Sequence, residues 1–580
     1  MRRTKIVATL GPSTDDLDVL VSLVTEGVDV ARLNLSHGGP ADRIRRVELL
    51  REAERRVGRP VGLLFDTRGP EVRLGSFAGG KARIAAGTSF WLRADGAPGS
   101  GEQASVSFDG LFALLRPQMT VLLDDGRVPL EVLEVFPDRA RCRVLTDAEL
   151  TDHRKVTVPG VSLPLPPLTD EDLADLRLGT ELGMDFVAAS FTSTAAHVLE
   201  VRDALAGLGS DARVIAKLET PEALDNLDAI LRVADGIMVA RGDLGVECAP
   251  EDVPLMQKRA IRAANRFGKP VITATQMLET MISQPVATRA EASDVANAIL
   301  DGSDAVMLSA ETAAGRYPVQ AVRFMARLCE RVEESFPYGR KPPGEHPIDT
   351  VPEAISSATV EIAQQLGARA IVTATQSGYT TRMVARHRPQ ARIVAATPDE
   401  RAARATLLVW GAEPLLVAPG KSGDEVATQA IDAALRSGIV GEGDVLVYTA
   451  GVPVGVPGTT NLIRVHTVGN VALRGHGIGD GRASGRVVRV TRAGDTARIA
   501  AGSVVVAHHT DASMVEAISQ AAAVVVEEGG LTSHAAIVGL SLGVPVIVGA
   551  SGALGILQEG ESVTVDAARS LVYRGILAVG

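Results

Sequence analysis

Eight short apolar runs, rich in β-branched residues and separated by amphipathic stretches, constrain the fold of this chain more than any other feature. They are Lys5–Leu10, Val28–Leu33, Val61–Phe65, Phe186–Ala189, Val214–Leu218, Ile237–Ala240, Val271–Ala274 and Ala305–Leu308. Strands that are apolar along their whole length belong to parallel sheets covered on both faces. Eight strand–helix units predict the α/β class, closed into an eightfold β/α (TIM) barrel whose chemistry lies at the strand C-termini. Polar residues stand at those ends: Arg32, Asn34 and Ser36 after the second run, Asp66 and Thr67 after the third, Thr275 after the seventh and Ser309 after the eighth.

The fifth and sixth runs end in the most informative residues. Lys217 and Glu219 close IAKLE, and Asp243 follows in MVARGDLG. An ammonium and two carboxylates projected from neighbouring strand ends make a site for a divalent metal and a phosphorylated anion. Such groups are rarely placed there for packing, because an unpaired buried charge is costly. Only eight of the 59 basic residues are lysine, so a lysine at a strand end stands out. The competing reading is a purely structural Lys–Glu pair.

The barrel is interrupted. Its first part is residues 1–71. Residues 72–157 alternate in polarity (VRLGSF, KARIAAG, TVLLDDG, RARCRVL) and carry turn signals such as Asp125-Gly126, which predicts a small β-rich domain inserted after a barrel strand. The Pro-rich return, VPGVSLPLPPLTDEDL, predicts an extended hinge and a helix N-capped by Thr169, opening the second part of the barrel at residues 158–337. A boundary at PYGRKPPGEHPIDTVP, residues 337–352, leads into an α/β unit over 338–472, with strands at AIVTAT, RIVAAT, PLLVA and VLVYTA. After the Gly-rich GHGIGDGRASG, residues 475–580 form a compact, β-rich mobile domain.

No apolar run approaches the roughly 18 residues a membrane span needs. The start, MRRTKIVATLGPS, has too short an apolar stretch for a signal sequence. Cys142, Cys248 and Cys329 lie far apart with no CxxC, which predicts neither a disulfide framework nor a zinc site and fits a reducing cytoplasm. The net charge of −11 argues against general nucleic-acid affinity, so anionic substrates need local clusters of cations.

Read in order, TKIVATLGPS, ARLNLSHG, DTRGPEVR, AKLE, MVARGDLGVE, ITATQMLETM and TRAEASDVANAILDGSDAVMLSAETAAGRYPV resemble the pyruvate kinase family across about residues 1–470. The resemblance implies transfer of a phosphoryl group from phosphoenolpyruvate to ADP, giving pyruvate and ATP in the last step of glycolysis. That chemistry needs charge neutralisation and in-line placement more than covalent catalysis. It implies that Glu219 and Asp243 hold Mg²⁺ or Mn²⁺, and that Lys217 lies against the migrating phosphoryl group and the developing enolate. Arg32 grips the phosphate. The amides of Gly242 and Asp243 bind the substrate carboxylate, and Thr275 completes that pocket; either Thr275 or a water relay protonates the enolate. Asn34, Ser36, Asp66 and Thr67 match the family's K⁺ site, and a glutamate at Glu71 goes with K⁺ dependence. His37 and Arg73 match nucleotide contacts, and the resemblance implies that the inserted domain is a small β-barrel that closes over the nucleotide as a lid. DHRKVTVPG departs from the family's KKGVN-like pattern, so either Arg154 or Lys155 replaces the nucleotide lysine. Arg68 for lysine, Ala287 for proline and Ala310 for glycine are further departures; Ala310 carries a cost only if its backbone needs φ > 0.

TATQSGYTTRMVARHRP resembles the family's effector loop. There Thr373, Thr375, Ser377, Gly378, Thr380 and Thr381 would cradle the phosphate of an allosteric activator, a sugar phosphate or AMP; the bland reading is a Ser/Thr-rich cap. The family is usually a homotetramer. EEGGLTSHAAIVGLSLGVPVIVG, residues 527–549, resembles the swivelling phosphohistidine domain of phosphoenolpyruvate-utilising enzymes such as pyruvate phosphate dikinase, with His534 at the phosphorylated position. No ATP-grasp domain accompanies it, so a relic or regulator is expected ahead of a dikinase-like phosphotransferase working through His534. A barrel that only senses phosphorylated metabolites is the third reading.

Overall fold

Eight parallel strands close into a barrel in the computed structural model of the chain, which describes residues 2–339, 350–420, 422–441, 443–453, 458–469 and 471–576. The strands are Lys5–Thr9, Val30–Asn34, Gly62–Asp66, Phe186–Ala189, Arg213–Leu218, Gly236–Ala240, Val271–Ala274 and Ala305–Leu308. They are the eight predicted runs, three with the predicted ends and five with an end shifted by one or two residues. Neighbours follow chain order, and the first strand closes on the eighth from Lys5↔Ala305 to Ala8↔Leu308. Six of the eight are buried at every position, as their unbroken apolar sequence requires. Val7, Leu64, Phe186, Ile215, Met238 and Met307 belong to a core cluster that also takes in Leu407 and Leu408.

Caps fix where the helices begin and end. The Asp16 carboxylate accepts from the amides of Asp18 and Val19, and Gly27, at φ 114°, ends the helix Leu17–Glu26. Thr169 caps the helix Asp170–Glu181 as predicted, its hydroxyl accepting from the Asp172 amide. Ala310 is the first residue of the short helix Ala310–Ala313, so this departure places no side chain in the left-handed region.

The insert forms a six-stranded sheet, with the pair Lys81–Ile84 and Ala148–Thr151 as a separate ribbon. Phe90, Leu92, Phe112, Val121, Leu130 and Cys142 fill a core of its own. One of its hairpins joins Thr120–Leu123 to Val128–Phe136 through a loop in which Asp124, Asp125 and Gly126 are at positive φ, as the Asp-Gly signal predicts. Residues 161–168, on the Pro-rich return, adopt no regular structure.

The chain divides into two compact units: residues 1–360 with 373–416 and 451–461, and residues 361–372 with 417–450 and 462–580. In the first, Arg392–Thr397 and Ala412–Leu416 pair in parallel. The other two strands expected in this region are Ala370–Ala374 and Val445–Gly451. Residues 340–349 of the predicted boundary lie outside the described residues. In the second unit, eight strands between Val471 and Arg574 form one mixed sheet. Arg482–Val490, Ser503–Ala507, Ala523–Val526 and Val546–Val548 are its parallel centre. The helix His534–Leu542 links the last two of these. Among the described residues no helix is long and apolar enough to cross a membrane.

Candidate active site

The barrel's C-terminal strand ends open into a cavity of about 520 Å³. Arg32, Lys217, Glu219, Asp243, Asn34 and Ser36 line it from the barrel, and Arg73, Arg154 and Lys155 from the insert and its edge. His37 and Thr67 also line it. Parallel strands put the residues just past their C-termini on one rim, so groups more than 200 residues apart in sequence meet here.

Lys217 is the centre of the charge network. Its Nζ lies 2.8 Å from Glu219 Oε1 and 3.0 Å from Asp66 Oδ1, and donates to Ser190 Oγ at 2.7 Å. Burial alone would favour the neutral amine, but Asp66, Glu219 and Asp243 outweigh it and hold the ammonium pKa well above its ordinary value. Burial likewise works against the Asp66 carboxylate, yet Arg32 and Lys217 keep its pKa low. Arg32 Nε donates to Asp66 Oδ2 at 2.6 Å and its NH1 to Thr9 Oγ1 at 2.9 Å. Both Asp66 oxygens therefore already face cations, while Asn34 Oδ1 accepts from the Ser36 amide at 3.1 Å. Thr67 Oγ1 accepts from the Ser190 amide at 3.0 Å.

Glu219 and Asp243 are held differently. Burial pushes the Glu219 carboxyl up; Lys217 pulls it back, while Asp243 repels its charge. Its second oxygen accepts from the Phe191 amide at 2.6 Å. Asp243 also meets burial, but Lys155 and Lys217 keep it ionised at low pH. Lys155 Nζ reaches Asp243 Oδ1 at 2.8 Å and sits 4.8 Å above the centre of the Phe191 ring. Two hard carboxylates whose mutual repulsion is offset by neighbouring cations suit a divalent cation such as Mg²⁺.

Gly242 and Asp243 lie in the first turn of the helix Arg241–Glu247, and Thr275 Oγ1 accepts from the Gly242 amide at 2.8 Å. Thr275 has φ 63°, a conformation that costs a β-branched residue energy and that clusters at functional sites. At the insert's edge, Arg73 pairs with Glu71 and donates to the His153 carbonyl at 2.9 Å. Arg154 turns to Asp124 of the insert hairpin at 3.0 Å, whereas Lys155 crosses to the barrel. Ser190 and Phe191 complete the lysine and glutamate contacts without having been singled out in the sequence. The signal was there, since Ser190 directly follows the fourth apolar run.

The profile described as the pyruvate kinase barrel domain matches residues 1–322, and that of the pyruvate kinase alpha/beta domain matches 353–466. The chain belongs to the pyruvate kinase family. It is 46% identical to the pyruvate kinase of Bacillus licheniformis and 45% to that of Geobacillus stearothermophilus, in each case over all of both chains. Pyruvate kinase 2 of Synechocystis is 43% identical over 99% of this chain and 98% of its own. Among solved structures, a pyruvate kinase from Cryptosporidium parvum has a TM-score of 0.73 and 35% identity, covering 80% of this chain and 96% of that one. A third profile, the mobile domain of phosphoenolpyruvate-utilising enzymes, matches residues 499–570. As a pyruvate kinase the chain is a phosphotransferase, and relatives that share its full length carry the pyruvate kinase name rather than a dikinase one.

Two further regions of this pyruvate kinase carry sequence-predicted site residues. In the expected effector loop, Thr373 and Thr381 share a hydroxyl hydrogen bond of 2.8 Å, and Thr380 shares one of the same length with Thr460. Thr375 is buried, Ser377 is half-buried, and Gly378, at φ 76°, caps the helix Tyr379–Ala385. In the second unit, His534 opens its helix behind the Ser533 N-cap and shares a 3.0 Å hydrogen bond with Thr510 Oγ1 through Nδ1.

Proposed function

We propose that the barrel cavity transfers the phosphoryl group of phosphoenolpyruvate to ADP, with Lys217, Arg32 and Thr275 as its working side chains. The observation that carries this reading is the convergence of Lys217, Glu219 and Asp243 from neighbouring strand ends on one cavity. Glu219 and Asp243 are proposed to hold Mg²⁺ or Mn²⁺. Bound there, the cation would neutralise phosphoryl and carboxylate oxygens as a Lewis acid.

The chain's own groups do the rest. Lys217, kept protonated by its carboxylate neighbours, presents a preorganised charge to the phosphoryl group and to the enolate that forms as it leaves. Arg32 is anchored by Asp66 and Thr9 and presents its remaining donors to the phosphate. Gly242, Asp243 and Thr275 form the carboxylate end; the Thr275 hydroxyl or a water beside it delivers the proton to the enolate. His37, Arg73, Arg154 and Lys155 take the nucleotide, and the insert closes over it to exclude water. Asn34, Ser36 and Thr67 offer neutral oxygens and Asp66 a charged one, a set that suits K⁺ better than a divalent ion. The effector loop takes a phosphorylated activator, and the enzyme works as a cytoplasmic homotetramer.

A lactate-dehydrogenase-coupled assay with phosphoenolpyruvate, ADP, Mg²⁺ and K⁺ tests the core of this reading. Native chain turns over. Lys217→Met loses about 10³-fold or more in kcat, because a preorganised charge is removed. His534→Ala keeps its activity; loss in that variant would favour phosphotransfer through His534. Near-native turnover by folded Lys217→Met would sink the proposed role.

A further inference from the structure

The loop ends of the mobile domain carry a cluster that the barrel chemistry leaves unused. We propose that His508, His509 and Glu528 form a binding site for a borderline divalent transition metal such as Zn²⁺, with Glu527 orienting His508. The four residues follow the adjacent parallel strands Ser503–Ala507 and Ala523–Val526. The ladder continues past both strand ends: the Glu527 amide donates to the Ala507 carbonyl at 3.1 Å and the Glu528 amide to the His508 carbonyl at 2.9 Å. This backbone pairing holds His508 and Glu528 side by side. One ligand atom from each of His508, His509 and Glu528 lies within 4.8 Å of the others. All three side chains are exposed, so small rotations can bring their donors onto one ion.

The imidazole of His508 is held as a ligand would be. Its Nδ1 lies 2.9 Å from Glu527 Oε2, and its Nε2 lies 3.1 Å from Glu528 Oε1. Glu527 is itself pinned, because its Oε1 accepts from the Leu554 amide at 2.9 Å. A carboxylate on one ring nitrogen selects the tautomer and turns the other lone pair outward, which is the arrangement behind most metal-bound histidines. Here Nε2 faces a Glu528 carboxylate oxygen at 3.1 Å, and a cation that takes the place of the proton between them binds both. The His509 ring stands edge-on to His508, with centroids 5.8 Å apart, and supplies the third donor. Two imidazoles and one carboxylate favour Zn²⁺ or Ni²⁺ over Mg²⁺ and leave a coordination position open. Ten of the 580 residues are histidine; two are consecutive here, and His534 is linked to the same loop through Thr510.

The test is a calorimetric titration of the full-length chain with Zn²⁺ in saturating Mg²⁺, which occupies the barrel carboxylates but competes poorly for imidazole. One equivalent of Zn²⁺ binds to the native chain and is lost in the His508→Ala/His509→Ala double variant. Glu528→Gln weakens binding. Glu527→Gln, which keeps every ligand, weakens it by about 10–100-fold through the lost orientation. Circular dichroism verifies that each variant is folded, and Zn²⁺ raises the Tm of the native chain but not of the double variant. Absence of stoichiometric binding to the native chain, or binding that survives in the double variant, overturns the site. An unchanged affinity in Glu527→Gln overturns the orienting role.

Discussion

Replacing Lys155 by methionine should tighten the binding of a divalent cation while weakening use of the nucleotide, a result opposite in sign to the loss of an ordinary contact. Lys155 Nζ lies 2.8 Å from Asp243 Oδ1 and 3.7 Å from Glu71 Oε1. Burial lowers its pKa, but Asp243, Glu219 and Glu71 outweigh burial and carry it from 10.5 to about 12. At about 1.4 kcal/mol per decade, that rise corresponds to roughly 2 kcal/mol of net stabilisation of the ammonium, left after the cost of burial. A cation entering between Glu219 and Asp243 competes with that stabilisation. Removing the ammonium therefore strengthens cation binding by up to about 30-fold, and by about tenfold after solvent screening at the partly exposed Asp243. Mn²⁺ affinity, measured by electron paramagnetic resonance without substrates, reads the effect directly. Lys81→Met, an exposed lysine of the insert, serves as the charge control. In the coupled assay kcat/KM for ADP falls in Lys155→Met and not in Lys81→Met. Folded Lys155→Met with unchanged or weaker Mn²⁺ binding would refute the competition argument.

Three other outcomes test separate parts of the site. Because Thr275 sits at φ 63°, Thr275→Gly is expected to be more stable than Thr275→Ala by about 1 kcal/mol, while both lose turnover relative to Thr275→Ser; chemical denaturation and the coupled assay measure this, and equal stabilities would remove the strain. Glu71 neighbours both Arg73 and Lys155. Activity of the native chain is expected to fall sharply when K⁺ is replaced by choline, and Glu71→Lys to lose that dependence; a native chain indifferent to K⁺ contradicts the cation site. Burial pushes the Glu247 carboxyl up to about 7, with Lys155 opposing. The folded state then holds this proton more tightly than the unfolded chain, so ionising Glu247 costs stability as pH rises from about 4.5 through 7. Tm is expected to fall less between pH 5 and pH 8 in Glu247→Gln than in the native chain, and parallel profiles would refute the shift.

Much of the barrel was legible because a strand buried on both faces leaves an unbroken apolar record, as in Gly236–Ala240 and Val271–Ala274. The capping pattern at Thr169 and the Asp124–Gly126 turn were legible for the same local reason: one residue's chemistry fixes one backbone geometry. The contacts of Lys217 were less so. Glu219 lies two residues away and was readable as a partner, but Asp66 and Ser190 reach the same ammonium only because the third, fourth and fifth strands pair side by side in the sheet. The choice between Arg154 and Lys155 could not be read from a departed motif. In the fold the two adjacent side chains diverge at the edge of the insert, Arg154 facing Asp124 and Lys155 facing Asp243.

Sequence alone therefore determined the strand repertoire and which polar groups stand at strand ends, since alternation, capping and unbroken apolar runs are properties of neighbouring residues. Tertiary structure decided which charges neutralise one another. Electrostatic pairing depends on separations of about 3 Å between groups far apart along the chain, and only the side-by-side pairing of the barrel strands and the seating of the insert set those distances.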